Sequence, residues 1–281
     1  MSRIEKAIEL AVQQRQGPPP ASSLPQAERP LDQEGPYGVF DSIPRPEIDS
    51  PFLVTARDDN SPAAEQYRKL KSSIVKLAQL GKFDKSLMVT SAIGGEGKTL
   101  TSLNLAITLA QEFDHTVLLV EADIRRPTVL KYLGMEASVG LTDCVLDGLD
   151  VGEVLVKTGI GKLTILPAGR PVPNPVELFS SNRTQQLLAE IKNRYNDRFV
   201  IVDTTPILPF AEPQFIANAV AGVLFVVREG YSPLDKVNRA LALLKNHNLL
   251  GIVCNGMSQV AALGNYYGYY GHYGYGQSRQ K

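Results

Sequence analysis

An apolar run, Leu87 to Ser91, breaks into Ala92-Ile93-Gly94-Gly95-Glu96-Gly97-Lys98-Thr99 and passes directly into residues of helical periodicity. This stretch constrains the fold more than any other in the 281-residue chain. Glycines at 94, 95 and 97 let backbone N–H groups turn toward one point, and that point lies at the positive end of the following helix. Strand, glycine-rich loop and helix in that order are the context a phosphate-binding loop requires. Lys98 would then hold the β- and γ-phosphates of a nucleotide, and Thr99 would offer its hydroxyl to Mg²⁺. The first position of the usual GxxxxGK[ST] pattern is Ala92 here, while the Gly97-Lys98-Thr99 core is intact.

Further apolar runs alternate with helix-length amphipathic stretches. Strands are expected at Leu87 to Ser91, Val117 to Glu121, Leu163 to Leu166, Phe199 to Asp203, Val223 to Val227 and Ile252 to Cys254. Lys98 to Glu112 and Leu234 to Asn246 read as helices, the first with Leu103, Ala106, Ile107 and Ala110 facing inward. Ser61-Pro62 caps an earlier helix that ends near Gly81, with Tyr67, Leu70, Ile74, Leu77 and Ala78 as its apolar stripe. The pattern predicts an α/β fold of the P-loop NTPase type: a mainly parallel sheet with helices on both faces.

Two strands end on carboxylates. Phe199-Val200-Ile201-Val202-Asp203 has the Walker B form, in which the acid fixes Mg²⁺ directly or through water. Val117 to Glu121 continues into Ala122-Asp123-Ile124-Arg125, and period 2 puts Glu121 and Asp123 on one strand face. Ligands bind α/β sheets at this carboxyl edge.

Four segments follow from composition. Residues 1–16 read as a short amphipathic helix, and 17–51, with nine prolines, as a linker. The compact domain is expected over 52–263. Residues 264–281 read as a flexible tail, carrying Tyr266, Tyr267, Tyr269, Tyr270, Tyr273 and Tyr275 among closely spaced glycines. Lys plus Arg (29) balance Asp plus Glu (29), so no global field favours nucleic acid. Two cysteines, Cys144 and Cys254, make no disulfide framework and read as buried apolar residues of a reducing compartment. No apolar run is long enough for a membrane span.

The phosphate loop, Glu121-Ala122-Asp123-Ile124-Arg125-Arg126-Pro127, Asn174-Pro175-Val176-Glu177-Leu178, Asp203-Thr204-Thr205-Pro206 and the tyrosine cluster together resemble the bacterial protein-tyrosine kinases of exopolysaccharide loci. The likeness covers about residues 52 to 281. The opening Met1-Ser2-Arg3-Ile4-Glu5-Lys6-Ala7 is similar to their soluble autokinase branch beside exosortase loci. The resemblance implies ATP and Mg²⁺, bound by Gly94, Gly95, Glu96, Gly97, Lys98, Thr99, Leu100 and Asn255, with Thr99, Asp123 and Asp203 at the metal. It implies Lys98, Glu121, Asp123 and Asp203 as catalytic groups, Glu121 as the base, and phosphorylation of the tail in trans. Glu65, Arg68 and Lys71 match the family's oligomerisation helix, so a homo-oligomer is expected when the tail is dephosphorylated. An inner-membrane polysaccharide co-polymerase and a phosphotyrosine phosphatase are the implied partners. The protein would then be cytoplasmic, peripheral to the inner membrane and a regulator of exopolysaccharide polymerisation and export. Two residues depart from the family pattern: Glu121 stands where aspartate is usual, and Lys71 where arginine is usual. Asn255 reads equally as an adenine contact or a cap. A nucleotide-binding scaffold, and a partition or division-site ATPase, are the alternatives; the latter carry a second lysine at the position of Ile93.

Overall fold

In Leu87-Met88-Val89 and Phe199-Val200-Ile201-Val202 successive residues are all apolar, so these strands need cover on both faces. The computed structural model describes residues 43–57, 61–194 and 197–257. In chain order its elements are α1 (Val54–Arg57), α2 (Pro62–Gln79), β1 (Ser86–Ser91), α3 (Lys98–Ala110), β2 (Thr116–Glu121), α4 (Val129–Tyr132), α5 (Leu141–Asp147), α6 (Val151–Val154), β3 (Val156–Lys157), β4 (Leu163–Leu166), α7 (Pro175–Ser180), α8 (Asn182–Asn193), β5 (Arg198–Asp203), α9 (Glu212–Ala219), β6 (Gly222–Arg228), α10 (Leu234–Leu243) and β7 (Leu249–Asn255). The expected segments 1–16 and 264–281, and the tail tyrosines, lie outside the described residues.

The sheet has seven strands in the order β3-β4-β2-β5-β1-β6-β7. All pairings are parallel except β3 with β4, a two-residue strand too short to leave a periodic signal. Alternation divides the strands between two cores. Leu87, Val89, Leu119, Phe199, Ile201 and Leu224 join one, beneath α3; Met88, Leu118, Val120, Val200, Val202 and Phe225 join the other.

Helix α3 departs from the amphipathic expectation, because every residue from Thr101 to Ala110 is buried. The outer face is covered by α1 and α2, and a polar pin fastens that cover. Asn104 Oδ1 accepts from Thr55 N–H at 3.1 Å and from the Thr55 hydroxyl at 3.0 Å, and its Nδ2 donates to Phe52 O at 3.0 Å. Helix α2 begins as its sequence requires, with Ser61 Oγ accepting from Ala64 N–H at 3.0 Å and Pro62 in the first turn. Residues 43–51, expected as linker, touch the domain: Ile48 packs on the core beneath α3, and Arg57 donates to Asp49 O at 2.8 Å.

Strand β7 is an edge, so Ile252 and Cys254 are exposed, which corrects the expectation of a buried Cys254. Cys144 is buried as expected, and desolvation pushes its thiol up to about 11. No described helix is long and apolar enough to cross a membrane.

Leu103 is fully buried in α3 and belongs to the core beneath that helix. Leu103→Ala should lower the unfolding free energy by about 2–5 kcal/mol, as measured by urea denaturation.

Candidate active site

The strand order decides which loops meet. β1 lies between β5 and β6, so the loop leaving β1 sits beside the end of β5, at the point where strand order reverses. Parallel register sets Glu121 opposite Asp203 and Val89 opposite Asp203. The phosphate loop, the Glu121 to Asp123 segment and Asp203 therefore share one sheet edge.

Gly95 (φ 82°) and Gly97 (φ 93°) take the left-handed conformation that side chains resist. A Cβ on Gly97 would also lie 1.9 Å from Asn255 Nδ2. Among the described residues none accepts a hydrogen bond from the backbone N–H groups of Gly94, Gly95, Glu96 or Gly97. Lys98 Nζ donates to Asp123 Oδ2 at 2.8 Å. The Thr99 hydroxyl donates to Asp203 Oδ2 at 2.7 Å, and the Ser102 hydroxyl to Asp203 Oδ1 at 2.9 Å. Four unbonded amides, a lysine and a hydroxyl–carboxylate pair of hard oxygens fit a nucleotide phosphate with Mg²⁺. Among the described residues no cluster of three His, Cys, Asp or Glu side chains assembles, so this fit rests on Thr99, Asp123 and Asp203.

Asp203 is buried, and desolvation raises its carboxyl to about 6. The Lys98 charge and the Thr99 and Ser102 hydroxyls pull it down, while Asp123 pushes it further up. Ser102 is a site residue that the sequence reading missed; its only signal is a position one helical turn beyond Lys98, whose carbonyl its hydroxyl also meets at 3.0 Å.

Glu121, expected as the base, has both carboxylate oxygens bonded to backbone amides. β2 ends at Glu121, and the carboxylates of Glu121 and Asp123 engage different partners. Glu121 Oε1 accepts from Val129 N–H at 2.7 Å and Oε2 from Ala168 N–H at 3.4 Å, with the residue 3% exposed. Burial raises its pKa, against the lowering effect of these amides. The geometry makes Glu121 an anchor for the segments around Val129 and Ala168, and no hydrogen bond joins it to Lys98 or Thr99.

The remaining candidates divide. Asn255 Nδ2 donates to Glu96 O at 2.9 Å, so its amide supports the loop. Leu100 packs on the core beneath α3, and its carbonyl accepts from Asn104. Of the triplet on α2, Glu65 and Arg68 pair with each other at 2.7 Å and Lys71 is bonded to Glu112 at the end of α3. A cavity of about 410 Å³ lined by Lys71, Ser72, Val75, Lys76, Gln79 and Glu112 lies on this helix, and none of the phosphate-loop residues lines it.

Comparison with known proteins supplies the family. Residues 84–237 match the AAA domain family. Tyrosine-protein kinase YwqD of Bacillus subtilis is 36% identical over 221 residues, covering 77% of this chain and 91% of that protein. The solved kinase domain of the Escherichia coli tyrosine kinase ETK aligns with a TM-score of 0.68 at 28% identity, covering 73% of this chain and 80% of that one. The septum site-determining protein MinD of Pyrococcus horikoshii aligns at a TM-score of 0.52 and 20% identity, with 62% and 72% covered, a likeness of fold alone.

The raised carboxyl of Asp203 yields a sign for the pH dependence. Between its ordinary 3.8 and about 6 the folded chain holds the proton more firmly than the unfolded one, so stability falls as pH rises through that window. Metal-free Asp203→Asn should therefore be the more stable protein at pH 8, by up to ~3 kcal/mol, with the gap closing toward pH 4. Urea unfolding at pH 4, 6 and 8 measures it, and a parent chain that is more stable at pH 8 would refute the buried-charge cost.

Proposed function

The chain belongs to the bacterial protein-tyrosine kinases, and on that premise we propose that it transfers the γ-phosphoryl group of ATP to its own C-terminal tyrosines, Tyr266, Tyr267, Tyr269, Tyr270, Tyr273 and Tyr275. The observation that carries this reading is the pairing of Lys98 with Asp123 and of Thr99 with Asp203 beside four unbonded loop amides. Lys98 leaves Asp123 for the β- and γ-phosphate oxygens, and the loop amides orient the same anion. Thr99, Asp203 and Asp123 supply the oxygens that hold Mg²⁺, which when bound neutralises charge on the transferring group. Phosphoryl transfer through a loose transition state asks for positioning and charge neutralisation more than for proton abstraction. Glu121 then acts by fixing the 122–129 segment that carries Asp123.

In this reading the tail is modified in trans. Eighteen residues of chain reach at most about 60 Å, enough to enter a neighbouring copy. Each phosphotyrosine adds about −1.5 to −2 charges, so six bring roughly −9 to −12 near the carboxylates of the site. Dephosphorylated chains associate through α2, phosphorylate one another, separate as charge accumulates and are reset by a phosphatase. Association through Lys71 competes with its bond to Glu112. We assign membrane contact to a separate inner-membrane polysaccharide co-polymerase, with control of exopolysaccharide polymerisation and export as the output.

Two experiments test this. A Lys98→Met chain with an intact tail, mixed with an active chain lacking residues 264–281 and Mg·ATP, should gain phosphotyrosine by mass spectrometry; Lys98→Met alone should gain none. No phosphotyrosine in the mixture ends the trans reading, and phosphotyrosine in Lys98→Met alone ends the assignment of Lys98. For Glu121, the anchoring role predicts that folded Glu121→Gln keeps phosphotyrosine formation within about tenfold of wild type and that Glu121→Asp, a methylene too short, falls further. General-base catalysis is worth about 10²–10⁴, so a loss of that size in Glu121→Gln with full activity in Glu121→Asp returns the base role to Glu121.

A further inference from the structure

The outer side of the phosphate loop is held by one rim, built from the turn after β6 and the end of β7. The Tyr231 hydroxyl donates to Gly94 O at 3.2 Å, Arg228 Nη1 to Gly95 O at 3.2 Å, and Asn255 Nδ2 to Glu96 O at 2.9 Å. A trans peptide unit points the carbonyl of one residue and the N–H of the next in opposite directions. The chain has no cis peptide among the described residues. Holding the carbonyls of Gly94, Gly95 and Glu96 toward the rim therefore turns the N–H groups of Gly95, Glu96 and Gly97 away from it. Those amides belong to the set left without a protein acceptor.

A buried side chain joins loop to rim. Glu96 is fully buried, with Oε2 accepting from Ile93 N–H at 2.8 Å and Oε1 bonded to the Ser232 hydroxyl. Ser232 Oγ in turn accepts from Arg228 N–H at 2.8 Å, which fixes the residue that caps Gly95. Both Glu96 oxygens are thus committed inside the protein, which leaves its carboxylate neither a metal ligand nor a phosphate contact. The ring of Tyr231 rests on Gly95, where an added Cβ would meet its hydroxyl at 3.1 Å, and Arg228 lies 5.3 Å from the ring centroid.

We infer that this rim aims the loop amides at the nucleotide phosphates, with Glu96 and Ser232 as positioning residues and Asn255 acting on the backbone of the loop. The inference rests on reading Gly94 to Thr99 as the ATP site and adds the groups that set its affinity. It assigns the rim to the phosphates, so its effect must appear with a ligand that has no base.

The test uses the full chain in EDTA, titrated with ADP and with inorganic pyrophosphate. Ser232→Ala, Glu96→Gln and Asn255→Ala should each weaken both ligands in parallel, by about tenfold for a lost charge-assisted amide contact. Ser232→Thr should restore both. In the kinase assay Ser232→Ala should raise the KM for ATP by the same factor with kcat within about threefold. The double variant Ser232→Ala/Glu96→Gln should be no weaker than Glu96→Gln, since the two side chains act as one contact. Weaker ADP binding with unchanged pyrophosphate in Asn255→Ala would make that residue a base contact and overturn its assigned role. Additive losses in the double variant, or unchanged binding in Ser232→Ala, would overturn the inference as a whole. Circular-dichroism melts separate misfolding from these outcomes; where Glu96→Gln fails to fold, the Ser232 pair decides. No ADP binding by the parent chain would instead overturn the nucleotide reading, leaving the two failures distinct.

Discussion

The carboxylate of Asp203 fastens the site together. It is almost wholly buried, and the hydroxyls of Thr99 and Ser102, one at each oxygen, tie the end of β5 to the first turns of α3. Burying an ionised carboxylate is costly unless its hydrogen bonds are made, and here burial still outweighs them, so the carboxyl titrates near 6. A group held in this condition gains from a cation close by. The same hydroxyl that satisfies Asp203 in the metal-free chain is the one that would share Mg²⁺ with it. The fold thus tolerates an unfavourable charge beside the phosphate loop, the kind of perturbed carboxylate that clusters at functional clefts.

Around that fixed point the phosphate loop has two sides with opposite demands. Its amides must stay unbonded to receive an anion, yet unpaired carbonyls at a partly buried loop would destabilise it. The rim resolves this by bonding the carbonyls of Gly94, Gly95 and Glu96 from outside. The left-handed conformations at Gly95 and Gly97 are the backbone form of the same solution, and the contact of Asn255 with Gly97 leaves no room for a side chain there.

What could be read from sequence follows from how local each signal is. Gly97-Lys98-Thr99 and Phe199 to Asp203 are contiguous, and the fold sets the Thr99 hydroxyl against the Asp203 carboxylate. The strands with apolar residues at every position gave their places and their two-sided burial to within a residue or two. Contacts between segments far apart in the chain left no such mark. Ser232 meeting Glu96, Arg228 meeting Gly95 and Lys71 meeting Glu112 need the fold before they can be seen. The exposure of Cys254 likewise depends on β7 being the last strand of the sheet, which a run of apolar residues does not state.

The glutamate at 121 has a physical explanation in the same terms. Position 121 ends β2 opposite Asp203 in the register, with Asp123 two residues on, so the backbone brings three acidic positions to one sheet edge, and the carboxylates of Asp203 and Asp123 face Thr99 and Lys98. A third carboxylate aimed into the same space would repel both and disfavour the phosphate anion. The longer side chain of glutamate carries its charge away, to the N–H groups of Val129 and Ala168, where backbone dipoles receive it. The glutamate carboxylate thus joins the segments around Val129 and Ala168, and the stretch from Glu121 to Val129 is the one that carries Asp123, bonded to Lys98.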